Sequence, residues 1–98
     1  MSVIRYTPQS IKDIDRLAQF LRNSDPHAAL DTAKIIVQGI NILQTHPEVG
    51  RKVNKGHREL IISRGKSGYL ALYLFQPASD TIRILAIRHQ RESGYKSD

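Results

Sequence analysis

Four side chains near the ends of two predicted strands have the types needed to cleave RNA without a metal ion. Arg64 ends the run "RELIISR", and Arg88, His89 and Tyr95 lie at or beyond the end of "TIRILAIR". Such cleavage needs a base for the 2′-hydroxyl, cations for the phosphate and an acid for the leaving oxygen. Arginine, histidine and tyrosine can fill these roles, so a ribonuclease site is the first of three hypotheses.

The same residue types also fit two kinds of binding surface. A nucleic acid would place its phosphates on lysines and arginines and its bases on tyrosines. An acidic protein segment would use the same charges for electrostatic steering. Both hypotheses draw on further cations in the polar segment "RKVNKGHR" and after the last strand, namely Arg51, Lys52, Lys55, Arg58 and Arg91.

The charge is concentrated in the second half of the chain. The formal net charge is +6, and residues 1–50 contain five basic and five acidic residues. Residues 51–98 contain ten basic and four acidic residues, so they carry the whole excess. A one-sided basic field favours an anionic partner, whereas the alternative is a solubilising excess with no specific partner.

Several other classes of site do not fit the sequence. There is no cysteine, which fits a cytosolic protein without disulfides. The four histidines are scattered without ligand spacing, so neither a metal nor a cofactor is expected. "GKSG" lies between strands rather than before a helix, unlike a phosphate-binding loop. No run of about 18 apolar residues predicts a membrane span, and "MSVIRYTPQS" does not resemble a signal peptide.

A strand over residues 3–6 and two amphipathic helices are predicted in the first half. Thr7 can cap the first helix and Pro8 suits its first position, and Asp25 and Pro26 repeat this signal for the second. The first helix has an apolar stripe of Ile11, Ile14, Leu17, Ala18 and Leu21, with Lys12, Asp13, Asp15, Arg16 and Gln19 facing away. The second has a stripe of Leu30, Ala33, Ile36, Val37, Ile40 and Leu43.

Glycine and proline positions refine the prediction for the second helix. Gly39 lies inside the second stripe, where it predicts a close approach to the first helix, and its alternative is a tolerated cost of about 1 kcal/mol. Pro47 forbids continuation of that helix and Gly50 opens a turn. Two helices joined by a short turn should lie antiparallel as a hairpin.

The second half predicts an exposed loop at residues 51–58 and a three-stranded meander at 58–63, 69–75 and 81–88. The element order is β-α-α-β-β-β. The fold class is therefore α+β, with the helical hairpin packed on one face of a small antiparallel sheet, in a single domain over residues 1–98.

The period of two along each strand predicts which side chains share a face of the sheet. On this basis Arg88 lies with Ile82, Ile84 and Ala86, and His89 points the other way with Leu85 and Ile87. Arg64 shares the face of Leu60 and Ile62, and Tyr69, Tyr73 and Phe75 share one face of the central strand. We expect the cations and phenols to converge beside one end of the sheet.

Three segments cover nearly the whole chain, namely "YTPQSIKDIDRLAQFL", "LQTHPEVGRKV" and "RELIISRGKSGYLALYLFQPASDTIRILAIRHQRESGY". Together they resemble the RelE/ParE superfamily of bacterial toxins from type II toxin–antitoxin pairs, and the ending is closest to the ParE-like branch of plasmid-stabilisation toxins. The resemblance implies a two-helix hairpin on an antiparallel sheet. It also implies a cytoplasmic toxin that is neutralised by a cognate antitoxin with a partly disordered, acidic and apolar tail.

The branch within this superfamily decides the target. ParE-like members are expected to inhibit DNA gyrase by binding, whereas RelE-like members cut messenger RNA on the ribosome. In the RelE-like reading, Arg64 and Arg88 clamp the phosphate, His89 transfers a proton, and Tyr69 or Tyr95 assists. The paired lysines of the RelE surface are not evident, because Lys52 and Lys55 lie in the loop, so the ParE-like reading is preferred. A third alternative is a non-toxic relative that only binds its antitoxin.

Overall fold

The computed structural model describes residues 1–22, 26–64 and 67–96, and the side chains of residues 20–22, 26, 28, 29, 64 and 67 lie outside this description. Its elements are β1 (Val3–Tyr6), α1 (Pro8–Arg22), α2 (Pro26–Ile40), β2 (Arg51–Lys52), β3 (Arg58–Arg64), β4 (Ser67–Gln76) and β5 (Thr81–His89). The predicted cap Asp25 and residues 65 and 66 of the predicted turn "GKSG" lie outside the described residues. Ser67 and Gly68, which were predicted to belong to that turn, are the first residues of β4. The described helices contain none long and apolar enough to cross a membrane.

The strands form one sheet in the order β1-β5-β4-β3-β2. β1 pairs parallel with β5, and every other pair is antiparallel. α1 packs against β5 and α2 against β3, so both helices cover the same face of the sheet. The predicted α+β fold and its element order are confirmed. The predicted loop at 51–58 also contains β2, whose Arg51 pairs with Glu59 and whose Lys52 pairs with Arg58.

The core lies between the helices and the sheet, and its centre is fully buried. The residues with no exposed surface include Ile36, Ile40, Leu43, Tyr73, Ile82, Ile84 and Ile87. We call the side of the sheet that carries Tyr73, Ile82, Ile84 and Ile87 the helix face, and the other side, which carries Glu59, Leu70 and Leu72, the open face. Leu60 and Ile62 are buried on the helix face, in agreement with the sequence pattern.

Both helices are rotated slightly from the predicted stripes. Ile11 is 57% exposed and Leu30 is 66% exposed, although both were predicted to be buried. Asp13, predicted to face solvent, is 1% exposed. Thr7 caps α1 as predicted, because its hydroxyl accepts a hydrogen bond from the Ser10 N–H at 3.2 Å. The buried face of α1 is therefore partly polar, which hydrophobic periodicity alone does not reveal.

A β-bulge in β5 reverses the predicted faces of its last residues. Leu72 pairs with Ala86 while Tyr73 pairs with Ile84, so Leu85 has no partner in β4. An extra residue shifts the alternation by one position. The predicted placement of Arg88 with Ile82 and Ile84 is therefore wrong, because Arg88 lies on the open face.

The same shift also changes the neighbours of Ile87 and His89. Ile87 joins Ile82 and Ile84 in the buried cluster instead of sharing a face with Leu85. His89 follows Ile87 at the next alternate position, so it lies on the helix face.

Thr7 and Asp13, at the start of the first helix, form hydrogen bonds with backbone groups of β5 around the bulge, where β1 has ended. The Asp13 carboxylate accepts the Ile87 N–H at 2.8 Å and the side-chain amide of Gln9 at 3.0 Å. The Thr7 hydroxyl lies 2.7 Å from the Ile84 carbonyl oxygen and 3.2 Å from that of Leu85. Buried polar groups need such partners, so α1 stabilises the bulge.

Gly39 approaches the sheet rather than the first helix. A Cβ at this position would lie 2.8 Å from a methyl carbon of Ile62 on β3. The prediction of a close approach to α1 is therefore wrong. The missing side chain lets α2 lie close to β3.

Candidate functional site

A buried carboxylate lies on the open face, on strand β3 beside the edge strand β2. Glu59 is 6% exposed, and its Oε1 accepts hydrogen bonds from Arg51 Nε at 3.0 Å and Nη2 at 2.5 Å. Its Oε2 accepts the Tyr95 hydroxyl at 2.5 Å. Both oxygens are thus satisfied by charged or strongly polar donors, which a buried carboxylate requires.

Arg88 and Tyr95 contact each other beside Glu59. The Arg88 guanidinium lies 5.2 Å from the centre of the Tyr95 ring, a cation–π contact. Its Nη1 donates to the Glu92 carbonyl at 2.6 Å. Within the described part of the chain, its buried Nε has no hydrogen-bond partner. Arg88 therefore holds local backbone and an aromatic ring in place.

Residues 90–96, which we call the C-terminal strap, cross the open face from β5 to β3. The Gln90 N–H donates to the Gly68 carbonyl at 3.0 Å, which fixes the start of the strap. The Glu92 carboxylate accepts the His89 N–H at 2.8 Å and Arg16 Nη1 at 2.7 Å. Tyr95 anchors the far end. The strap therefore ties the last strand, the first helix and β3 together.

His89 lies on the opposite face from Arg88 and Tyr95. Its ring meets the Tyr69 ring edge-on, with 5.5 Å between the ring centres. Its Nδ1 accepts the Arg91 N–H at 3.1 Å, so this nitrogen carries no proton in that contact. The sheet separates the histidine from the arginine–tyrosine pair, and the expected convergence is only partial.

The network around Glu59 shifts two pKa values in opposite directions. Burial of Glu59 acts to raise its pKa, but the hydrogen bonds from Tyr95 and Arg51 outweigh it, and the pKa lies below the ordinary value. Burial and the adjacent Glu59 carboxylate raise the pKa of Tyr95 well above its ordinary range. Tyr95 is therefore a weaker acid than a free tyrosine and holds its proton at neutral pH.

The remaining predicted site residues fall into three groups. Arg58 donates to the Gly50 carbonyl at 2.9 Å and the Glu48 carbonyl at 3.0 Å, so it stabilises the turn before β2. Lys52, Lys55 and Arg91 are exposed. Arg64 ends β3, but its side chain lies outside the described residues.

Sequence reasoning missed Glu59 and Asp13, which organise the open face and the bulge. Glu59 occupies a position of β3 that alternates with Leu60 and Ile62, as a solvent-facing glutamate would. Asp13 lies among charged residues on α1. The sequence carries no signal that either side chain is buried, because each burial depends on a contact with a distant element.

A family comparison identifies the class of protein. Residues 4–94 match the model of the ParE toxin of the type II toxin–antitoxin system parDE. The chain belongs to the ParE toxin family. The predicted membership of the RelE/ParE superfamily is thereby confirmed.

One curated relative and two solved structures are similar to this chain. Toxin RelE3 of Caulobacter vibrioides is 32% identical over 92 residues, which cover 94% of this chain and 98% of that protein. The fold resembles that of a chain in the chromosomal ParDE system from P. aeruginosa, with TM-score 0.75, 22% identity, and coverage of 91% of this chain and 96% of that one. It also resembles a chain of the RelBE2 toxin–antitoxin complex from Mycobacterium tuberculosis, with TM-score 0.60, 20% identity, and coverage of 91% and 98%.

Proposed function

We propose that this protein is a ParE-like toxin that inhibits DNA gyrase by binding and is neutralised by a cognate antitoxin. The observation that carries the proposal is the separation of His89 from Arg88 and Tyr95 by the sheet. General acid–base catalysis needs its groups within hydrogen-bond reach of one substrate. This arrangement favours a binding surface over a ribonuclease centre.

The bonding of the open-face residues supports the same choice. Arg88 is engaged with the Glu92 carbonyl and the Tyr95 ring. The Tyr95 hydroxyl donates a hydrogen bond to Glu59 and has a raised pKa, which makes it a poor general acid at neutral pH. These groups stabilise the strap that shapes the surface rather than standing free for a reaction.

The antitoxin fits the exposed charges and apolar residues of the chain. Lys52, Lys55 and Arg91 are exposed cations that suit an acidic segment, whereas Arg51 and Arg58 are engaged in contacts within the fold. Ile11 and Leu30 expose apolar surface on the helices, at 57% and 66%. A tail with acidic and apolar residues can use both features as it orders on binding. The proposed place of action is the cytoplasm.

The test measures gyrase supercoiling and translation separately with the purified toxin. We expect a dose-dependent loss of supercoiling, intact translation, and recovery of gyrase when the antitoxin is added. Cells that express the toxin should accumulate double-strand DNA breaks and form filaments. Normal supercoiling at a toxin concentration that arrests growth would refute the gyrase proposal.

A ribosome-dependent ribonuclease is the second candidate. It is favoured by the 32% identity to Toxin RelE3 and by the convergence of Arg51, Arg88 and Tyr95 on one face. His89→Gln tests it with little disturbance of the fold, and His27→Gln on exposed α2 surface is the matched control. Loss of messenger RNA cleavage in His89→Gln, with cleavage retained in His27→Gln, would support the ribonuclease. Harmless expression without antitoxin would instead indicate a non-toxic relative.

A further inference from the structure

Two arginines lie side by side at the β1–β5 edge of the open face. Arg5 and Arg83 are direct partners in the parallel pairing of β1 with β5. Arg83 lies between the fully buried Ile82 and Ile84, and Arg5 alternates with strand residues that pack on the core. Both guanidinium groups therefore project from the open face, and both arginines are exposed.

These two cations lack the partners that other arginines on the same face have. Arg51 has Glu59 as its partner, and Arg88 has a carbonyl and a tyrosine ring. Among the described residues, no ion pair or hydrogen bond of a side chain reaches Arg5 or Arg83. At one end of the open face the arginines have partners within the fold, and at the other end two described arginines have none.

Adjacent like charges on paired strands destabilise a sheet. An external anion bound between the two guanidinium groups would remove this repulsion and replace it with attraction. Guanidinium groups match phosphate oxygens in a bidentate geometry, and two of them on neighbouring strands can grip one phosphate or two successive phosphates.

We propose that Arg5 and Arg83 form a phosphate-binding site for the backbone of a nucleic acid. The open face carries no helix at this edge, so an extended polyanion can lie along it. The net charge of +6 adds long-range attraction for such a ligand. The site is separate from the Glu59 cluster and does not depend on gyrase being the target.

The test measures binding of fluorescent duplex DNA and of single-stranded RNA by anisotropy over a range of salt concentrations. The double variant Arg5→Gln/Arg83→Gln is compared with Lys12→Gln/Lys34→Gln, which removes the same charge from exposed helix surface. Each phosphate contact contributes about 0.9 to the logarithmic salt slope for duplex DNA. We expect the arginine variant to lose about 0.9 if one phosphate is shared and about 1.8 if two are bound.

The outcomes distinguish the ligands. A larger loss of affinity for DNA or for RNA identifies which backbone the site prefers, and either supports the proposal. An unchanged salt slope, an equal loss in the lysine control, or binding of polyglutamate without binding of nucleic acid would overturn it. The melting temperature of the arginine variant should be unchanged or higher, because the substitution relieves repulsion. A gyrase assay on the same variant reports on the proposed function independently.

Discussion

The strap makes the substitution Tyr95→Phe a direct test of the Glu59 network. It removes the hydroxyl that donates to Glu59 Oε2 at 2.5 Å and leaves the packing of the ring unchanged. A hydrogen bond to a charged acceptor contributes about 1.5–3 kcal/mol. Arg51 still binds the other carboxylate oxygen, so the loss should lie near the lower end, about 1.5–2 kcal/mol.

Tyr6→Phe provides a matched control within the same chain. The Tyr6 hydroxyl is buried and has no hydrogen-bond partner among the described residues. Its removal should leave the free energy of unfolding unchanged or slightly higher, because no bond is lost and a desolvated hydroxyl disappears. Urea denaturation of both variants isolates the Tyr95–Glu59 bond from the general effect of deleting a phenolic hydroxyl.

A double-mutant cycle of Tyr95→Phe with Glu59→Gln completes the measurement. The two effects should be strongly non-additive, because both substitutions act on one contact. Amide exchange should also become faster at Gln90 and Glu92, whose N–H groups bond within or beside the strap. Equal effects of the Tyr95 and Tyr6 substitutions, or an additive cycle, would refute the network.

Three further substitutions or conditions test other parts of the structure by urea denaturation. Asp13→Ala leaves a strand N–H at the bulge buried without an acceptor, so it should cost about 1–3 kcal/mol. Gly50→Ala would place a Cβ 2.7 Å from a ring carbon of Tyr73 and should cost about 1–3 kcal/mol, whereas Gly94→Ala, with open space around it, should be neutral. The lowered pKa of Glu59 stabilises the folded protein at pH values above 4.5, the ordinary pKa of this group. This stabilisation is lost as the pH falls through the folded-state pKa. Glu59→Gln should reduce this acid sensitivity, and an unchanged pH profile would contradict the assignment.

The sequence predicted the element order because its local signals were consistent. Thr7 and Pro8 open the first helix, and the alternation of β3 places Leu60 and Ile62 in the core. The shared face of Tyr69 and Tyr73 was also correct, since β4 continues through the bulge without an added residue. Period and capping are local properties, so they can be read without knowledge of distant contacts.

The face of the sheet on which each candidate site residue lies depends on contacts between distant parts of the chain, and these leave no trace in the local alternation of residues. The bulge at Leu85 is stabilised by Asp13, which lies 74 positions before the Ile87 N–H that it accepts. A single inserted position moved Arg88 and His89 to faces opposite to those predicted. The cluster of Arg51, Arg88 and Tyr95 forms around a buried glutamate whose sequence position looks exposed. Strand registers and buried carboxylates therefore limit what alternation can predict.

The pairing of β1 with β5 has a consequence for folding during translation. Residues 3–6 find their partners only at residues 81–84, and the first helix needs Ile87 to satisfy Asp13. A nascent chain on the ribosome cannot form these contacts until residue 87 has been translated and has left the exit tunnel. Such long-range closure slows folding. Each newly made copy therefore passes through a stage in which β1 lacks its partner strand and the sheet is incomplete.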